Sequence, residues 1–193
     1  MFSGIIQTIC KVETRATKNG SLFLTIEKPK GWKIKPGDSI ATNGVCLTVK
    51  TLNGKKYTTE LMPETLERTT FGQIVPKLVN LEPSLTLNTL MDGHLVLGHV
   101  DTIGTITKLQ DKGRSRIYTV RFPKKYSNLV VEKGSITIDG ISLTIVGCGK
   151  DFLTVSLVDY TIQHTTLGAK KIGEAVNLEF DIMAKYVARM LKK

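Results

Sequence analysis

Apolar and polar positions alternate with a period of two along much of this chain, the spacing of strands with one buried face. In 37–49, GDSIATNGVCLTV, and in 133–145, KGSITIDGISLTI, two short runs rich in β-branched residues flank Asn43-Gly44 or Asp139-Gly140. These dipeptides populate the positive-φ turns that join antiparallel strands, so each block predicts a hairpin. KKYTTELM (55–62) and KDFLTVSLV (150–158) predict further strands, each preceded by a Gly-containing loop. TLERTT and TIQHTT suit a short polar helix or turn. Several short strands with regular turns predict a small closed barrel. The C-terminus changes period: Ile182, Met183, Tyr186, Val187, Met190 and Leu191 recur at helical spacing behind Asp181, a suitable N-cap. Lys192 and Lys193 suit the negative end of that helix. The stripe needs cover, from the chain's own barrels or from another subunit.

The strand blocks occur twice. Ser39, Ile40, Gly44, Leu47 and Thr48 recur 96 residues later as Ser135, Ile136, Gly140, Leu143 and Thr144, and MPETLERTTFG (62–72) lies over VDYTIQHTTLG (158–168) at the same offset. SGIIQTICKV (3–12) matches LGHVDTIGTI (97–106), and Val79-Asn80-Leu81-Glu82 matches Val176-Asn177-Leu178-Glu179. Four blocks in one order, with small register changes, indicate a duplicated domain. The expected division is 1–94, 95–181 and a terminal helix over 182–193.

Composition narrows the class. An apolar fraction of 41% is that of a folded chain, and 24 threonines favour strands over helices. No stretch approaches the roughly 18 apolar residues of a membrane span, and the N-terminus lacks a signal peptide's pattern. Cys10, Cys46 and Cys148 are too sparse for a disulfide scaffold or a zinc site and suit a reducing compartment, so a cytoplasmic protein is expected. The net charge of +10 comes from lysines and arginines scattered in runs no longer than two, the pattern of a solvated surface. A basic barrel that binds nucleic acid is the competing reading; with only 6% aromatic residues, no stacking platform is evident.

Taken together, MFSGIIQ, the paired NGVCLTV and DGISLTI, MPETL, GHLVLGHVD and the closing VNLE resemble the riboflavin synthases, enzymes built of two lumazine-binding barrels. The resemblance spans essentially the whole chain. It implies a mainly β fold of two tandem six-stranded Greek-key barrels plus a C-terminal α-helix, in a homotrimer held by those helices. It also implies the reaction: two molecules of 6,7-dimethyl-8-ribityllumazine exchange a four-carbon unit to give riboflavin and 5-amino-6-ribitylamino-2,4-pyrimidinedione. No cofactor or metal is expected, and no nucleic acid or membrane as partner; lumazine synthase is a candidate partner. A related double barrel that holds a lumazine or flavin without catalysis is the alternative within the same fold.

The resemblance places substrate contacts in the first copy at Gly4, Ile5, Ile6, Ser39, Cys46, Leu47 and Thr48, and at Glu60, Leu61, Met62, Pro63, Glu64 and Thr65. In the second copy they fall at Gly98, His99, Val100, Lys133, Asp139, Ser142, Leu143 and Thr144, and at Leu157, Val158, Asp159, Tyr160, Thr161 and Ile162. His99, Ser142, Thr144 and Cys46, with Asp181, are the candidates for chemistry. The lumazine 7-methyl group must lose a proton and the partner ring must be attacked at carbon 7. Imidazole can move protons near neutral pH, and a hydroxyl or thiol can add to the ring or deliver water. A reaction between two copies of one molecule needs two similar pockets with unlike chemistry. The aligned copies differ in that way, Ile5 against His99 and Cys46 against Ser142.

Each candidate also has an ordinary structural reading. His99 is a lone histidine in an apolar run, Cys46 a small apolar residue, Ser142 and Thr144 the outward face of a strand. Lys133 can be a solvated turn and Asp181 only a cap. His94 and His99, five residues apart in an extended segment, point to opposite faces, which argues against a shared metal. The chain departs from the family's usual Gly-Gly-His and Ser-Gly-His at Asp92 and Leu97, and from Pro-His-Thr or Pro-Glu-Thr at Asp159-Tyr160-Thr161.

Overall fold

The computed structural model describes residues 1–191; Lys192 and Lys193, expected at the helix end, lie outside the described residues. Twelve strands form two closed barrels. The first holds β1 (Thr8–Lys18), β2 (Ser21–Glu27), β3 (Ser39–Thr42), β4 (Val45–Asn53), β5 (Lys56–Leu61) and β6 (Leu78–Pro83), closed in the order β1-β2-β5-β4-β3-β6. The second holds β7 (Thr102–Lys112), β8 (Ser115–Arg121), β9 (Ser135–Ile138), β10 (Ile141–Cys148), β11 (Phe152–Val158) and β12 (Ala175–Phe180). Its closed order, β7-β8-β11-β10-β9-β12, repeats the first with six added to every label. Two short helices, α1 (Pro63–Arg68) and α2 (Asp159–His164), occupy the same place in each copy, and α3 (Ile182–Leu191) ends the described chain. No described helix is long and apolar enough to cross a membrane.

The period-two pattern builds these barrels directly. Along β11 the side chains of Leu153, Val155 and Leu157 are buried while Phe152, Ser156 and Val158 face outward. β4 does the same with Val45, Leu47 and Val49 inside. Each inward Val, Leu or Ile is worth about 1.5–3 kcal/mol against exposure, so register is firmly set. The predicted hairpins join β3 to β4 and β9 to β10, with Asn43, Gly44, Asp139 and Gly140 all at positive φ. Turn tips normally face water, but these four residues are buried, because the tips meet at the seam between the barrels.

That seam has an approximate two-fold axis. Phe2 and Val96 pair antiparallel, each amide donating to the other's carbonyl. From there the two segments cross over. The Ser142 amide of β10 donates to the Gly4 carbonyl at 2.8 Å, and the Cys46 amide of β4 donates to the Gly98 carbonyl at 2.8 Å. Ile6 packs on the second barrel's core and Val100 on the first's. Gly4 and Ile6 therefore serve the barrel opposite the one they precede, and Gly98 and Val100 do the reverse. A buried carboxylate holds each crossing segment. Glu82 accepts hydrogen bonds from the amides of Ser3 and Gly4, and Glu179 from those of Leu97 and Gly98. Four more side chains close the axis: Asn80 donates to the Asp139 carbonyl and Asn177 to that of Asn43, both at 2.9 Å. Asn43 and Asp139 in turn accept from the amides of Asn80 and Asn177.

The terminal helix is capped as expected: the Met183 amide donates to the Asp181 carboxylate at 2.9 Å. Lys185 ties it to Asp101 of the second barrel. Met183, Tyr186, Val187, Met190 and Leu191 remain exposed on it. The chain's own barrels leave that stripe uncovered.

Candidate functional site

The crossing segments build two related half-sites on the outward face of each β3–β4 or β9–β10 hairpin. On β4, the alternation that buries Val45, Leu47 and Val49 turns Cys46 and Thr48 outward. Ser39 pairs directly with Thr48 and Ser135 with Thr144, so each hairpin presents two adjacent hydroxyls suited to a polyol or a heteroaromatic edge.

Beside Cys46 lies a cavity of about 300 Å3 that also receives Glu64 and Thr65 of α1 and the Gly98-His99-Val100 segment. Six predicted residues thus converge there. Arg68, which sequence reasoning passed over, joins them and pairs with Glu64 at 3.2 Å. The i, i+4 spacing of Glu64 and Arg68 within ETLER (64–68) is the available signal. Glu60 faces outward on β5, where Lys50 pairs with it and pulls its carboxyl below the usual range. Leu61 is core, and Met62 and Pro63 are exposed at the start of α1. Ser39 lines a neighbouring cavity of about 390 Å3 with Trp32 and Asp38.

On the second hairpin Ser142 and Thr144 occupy the places of Cys46 and Thr48. Gly4 rests on Ser142 so closely that a Cβ there would lie 2.7 Å from the Ser142 Cβ, with the glycine at φ +77°. Ile5 and Ile6 follow it, half-buried. The exposed Val158, Asp159 and Tyr160 and the half-buried Thr161 and Ile162 lie at the end of β11 and in α2, with Tyr160 stacked on His164 at 4.0 Å. Leu143 is partly buried and Leu157 fully buried against this barrel's core. Asp181 lines a groove of about 560 Å3 between α3 and β9, together with Ser135. Lys133 is an exposed turn residue at φ +65°.

Two placements differ from the sequence grouping. His99 does not meet Ser142 and Thr144; its segment crosses to Cys46, because Gly98 hydrogen-bonds β4 rather than β10. Asp139 stands outside both half-sites. It is fully buried at the seam, with Oδ1 on the Asn177 amide and Oδ2 3.5 Å from Lys170. Burial pushes its carboxyl upward against the opposing pull of Lys170.

The histidine that does reach Ser142 is His94. Its Nδ1 lies 2.7 Å from Ser142 Oγ and its Nε2 3.2 Å from Thr137 Oγ1. The segment 94–99 therefore sends one histidine to each half-site. Among the described residues no three His, Cys, Asp or Glu side chains converge as metal ligands.

Two like barrels, each turning a hydroxyl-bearing hairpin face outward beneath a segment from the other, define a duplicated lumazine-binding protein. Residues 3–84 and 97–181 each match the lumazine binding domain family. Riboflavin synthase of Actinobacillus pleuropneumoniae is 40% identical over 195 residues, spanning all of this chain and 91% of that protein. The riboflavin synthase of Mycobacterium tuberculosis (strain ATCC 25618 / H37Rv) is 41% identical over 198 residues, spanning all of this chain and 98% of its own length. The crystal structure of LumP complexed with riboflavin superposes with a TM-score of 0.86 at 22% identity, over 93% of this chain and 99% of that one. The chain belongs to the riboflavin synthase family.

Proposed function

We propose that this chain catalyses the dismutation of 6,7-dimethyl-8-ribityllumazine to riboflavin and 5-amino-6-ribitylamino-2,4-pyrimidinedione. One observation carries the reading. Two half-sites share Ser39/Ser135 and Thr48/Thr144, yet one adds Cys46 and His99 and the other Ser142 and His94. Like binding groups with unlike reactive groups are what a reaction between two copies of one molecule requires. The shared hydroxyls hold ribityl chain and ring, while the thiol, the Ser142 hydroxyl and the His99 imidazole move protons and supply the nucleophile.

The two half-sites lie on separate barrels, so stacked substrates meet when the first barrel of one subunit faces the second barrel of another. A homotrimer supplies that pairing, and the exposed Met183, Tyr186, Val187, Met190 and Leu191 give it an apolar surface to bury. We take 1–94 and 95–181 as the two barrel domains and 182–193 as the trimerisation segment. Three free cysteines fit a cytoplasmic protein, and lumazine synthase is the candidate partner enzyme. Incubating the purified protein with dimethyl-ribityllumazine and following riboflavin absorbance tests the activity. A protein that makes no yellow product beside an active control is not this enzyme.

A further inference from the structure

We propose that His94 is a positioning residue that fixes the Ser142 hydroxyl for the reaction. Ser142 is held from three sides. Its amide donates to the Gly4 carbonyl, its Oγ lies 2.7 Å from His94 Nδ1, and Gly93 presses on its side chain. No side chain fits at Gly93: a Cβ there would lie 2.0 Å from the Ser3 carbonyl oxygen and 3.0 Å from Ser142 Oγ. The His94 amide also donates to Ser3, so the backbone that carries the imidazole is fixed on the crossing segment. The second ring nitrogen is engaged by Thr137 Oγ1, on a residue buried in β9.

A serine hydroxyl has one proton and two lone pairs and rotates freely unless a partner takes the proton. With Nδ1 bare, His94 accepts that proton's hydrogen bond while its Nε2–H donates to Thr137. The lone pairs of Ser142 Oγ are then left free for the ligand. Asp181 is the charged group whose field reaches the ring; burial outweighs it and lowers the imidazole's pKa, which favours the neutral, accepting form. Across the seam the Cys46 amide makes the equivalent backbone bond, donating to the Gly98 carbonyl, but no histidine is seated on its free thiol as His94 is on Ser142 Oγ. The device belongs to one half-site alone and adds to the asymmetry the reaction needs.

This inference rests on Ser142 acting at the reaction site. The experiment compares steady-state riboflavin formation by the wild-type chain, His94→Ala, His94→Gln, Ser142→Ala and the double variant His94→Ala/Ser142→Ala. His94→Ala should lower kcat about ten- to a hundredfold with KM little changed. The double variant should be no slower than Ser142→Ala, because the histidine acts only through the serine. His94→Gln, which can still accept the hydrogen bond but does not titrate, should recover part of kcat and lose the acid limb of the pH profile. Multiplying losses in the double variant, or an unchanged kcat in His94→Ala, would overturn the proposal. A wild-type chain that makes no riboflavin defeats the functional reading instead. In that case, or if the variants do not fold, 15N NMR of the wild-type histidine rings decides. A neutral His94 protonated at Nε2 supports the proposal, and one protonated at Nδ1 refutes it.

Discussion

Gly44 and Gly140 meet backbone to backbone across the two-fold axis: a Cβ on Gly44 would lie 2.6 Å from the Gly140 nitrogen, and one on Gly140 2.7 Å from the Gly44 nitrogen. Both residues are at positive φ, +78° and +83°. The pair shows how a hairpin turn doubles as a docking surface, since the conformation that reverses the strands also removes the side chains that would hold the barrels apart.

Gly44→Ala should therefore cost both left-handed strain and a backbone clash. We expect about 1–3 kcal/mol lost from the strain alone. Urea unfolding should show the barrels separating before they melt, as a transition with two steps where the wild-type has one. A single unshifted transition would contradict the close approach.

Glu179 and Glu82 give a second, directional prediction. Each is buried, and burial raises its pKa despite the backbone amides it accepts. Glu179→Ala frees the Leu97-Gly98 amides that aim His99 at Cys46, while Glu82→Ala frees Ser3 and Gly4 at Ser142. Hydrogen bonds to a charged acceptor are worth about 1.5–3 kcal/mol each, so each variant should weaken ligand binding at its own half-site about tenfold or more. Quenching of riboflavin fluorescence, titrated as two sites, would show one affinity moved and the other kept. Equal loss at both sites would mean that the carboxylates only support the fold.

Asp139 sets a pH-dependent prediction. Its folded pKa lies above the ordinary value of 3.8 because the side chain is fully buried. The folded state therefore holds this proton more tightly than the unfolded chain. Stability from the group is complete below the unfolded value and falls as pH rises through the folded one. Asn43 already fills the matching place in the first barrel with a neutral amide. Asp139→Asn should thus raise Tm most at neutral and alkaline pH, with the gain shrinking as pH falls into the acid range. A Tm that drops at pH 8 would show that the Lys170 pairing outweighs the desolvation.

Much of this architecture was legible in the residues. Asn43-Gly44 and Asp139-Gly140 announced the hairpins because their turn chemistry is local, and the repeat announced two barrels. The β1–β2 hairpin was passed over although Asn19-Gly20 closes it at positive φ. Residues 14–18, polar apart from Ala16, are exposed on both faces, so no alternation marks them. The crossing of Gly4 and Ile6, and of Gly98 and Val100, between barrels is tertiary, and sequence spacing carries no sign of it. For that reason the sequence groups His99 with Ser142, its neighbour in the repeat, and offers His94 only as a metal ligand. The resemblance makes Asp139 a site residue, where the first copy has Asn43. The difference tracks the seam instead, where Lys170 stands opposite it and the first copy has Ile74.

The crossing also decides how inactive chains can rescue one another. If each site joins the first-barrel half of one subunit to the second-barrel half of its neighbour, rescue requires that all lesions in one chain fall in one half-site. Cys46 and His99 share a half-site through the Gly98 contact, and Ser142 shares the other with His94. A chain carrying Cys46→Ser/His99→Ala keeps its second half intact, and one carrying His94→Ala/Ser142→Ala keeps its first. Refolded together at equal amounts, they should place an intact first half beside an intact second half at about a quarter of interfaces in a cyclic trimer. Activity should return to a comparable fraction of wild-type. Grouping by repeat instead, with Cys46→Ser/Thr48→Ala mixed with His99→Ala/Ser142→Ala, should rescue nothing. The second chain of that mixture is damaged in both halves, and the first lacks a sound first half, so no interface is complete. Riboflavin formation by the two mixtures, with mixed trimers verified by mass spectrometry, separates the arrangements. Rescue by the second mixture and not the first would place His99 with Ser142 after all. Silence from both would mean that the two halves of a working site come from the same chain.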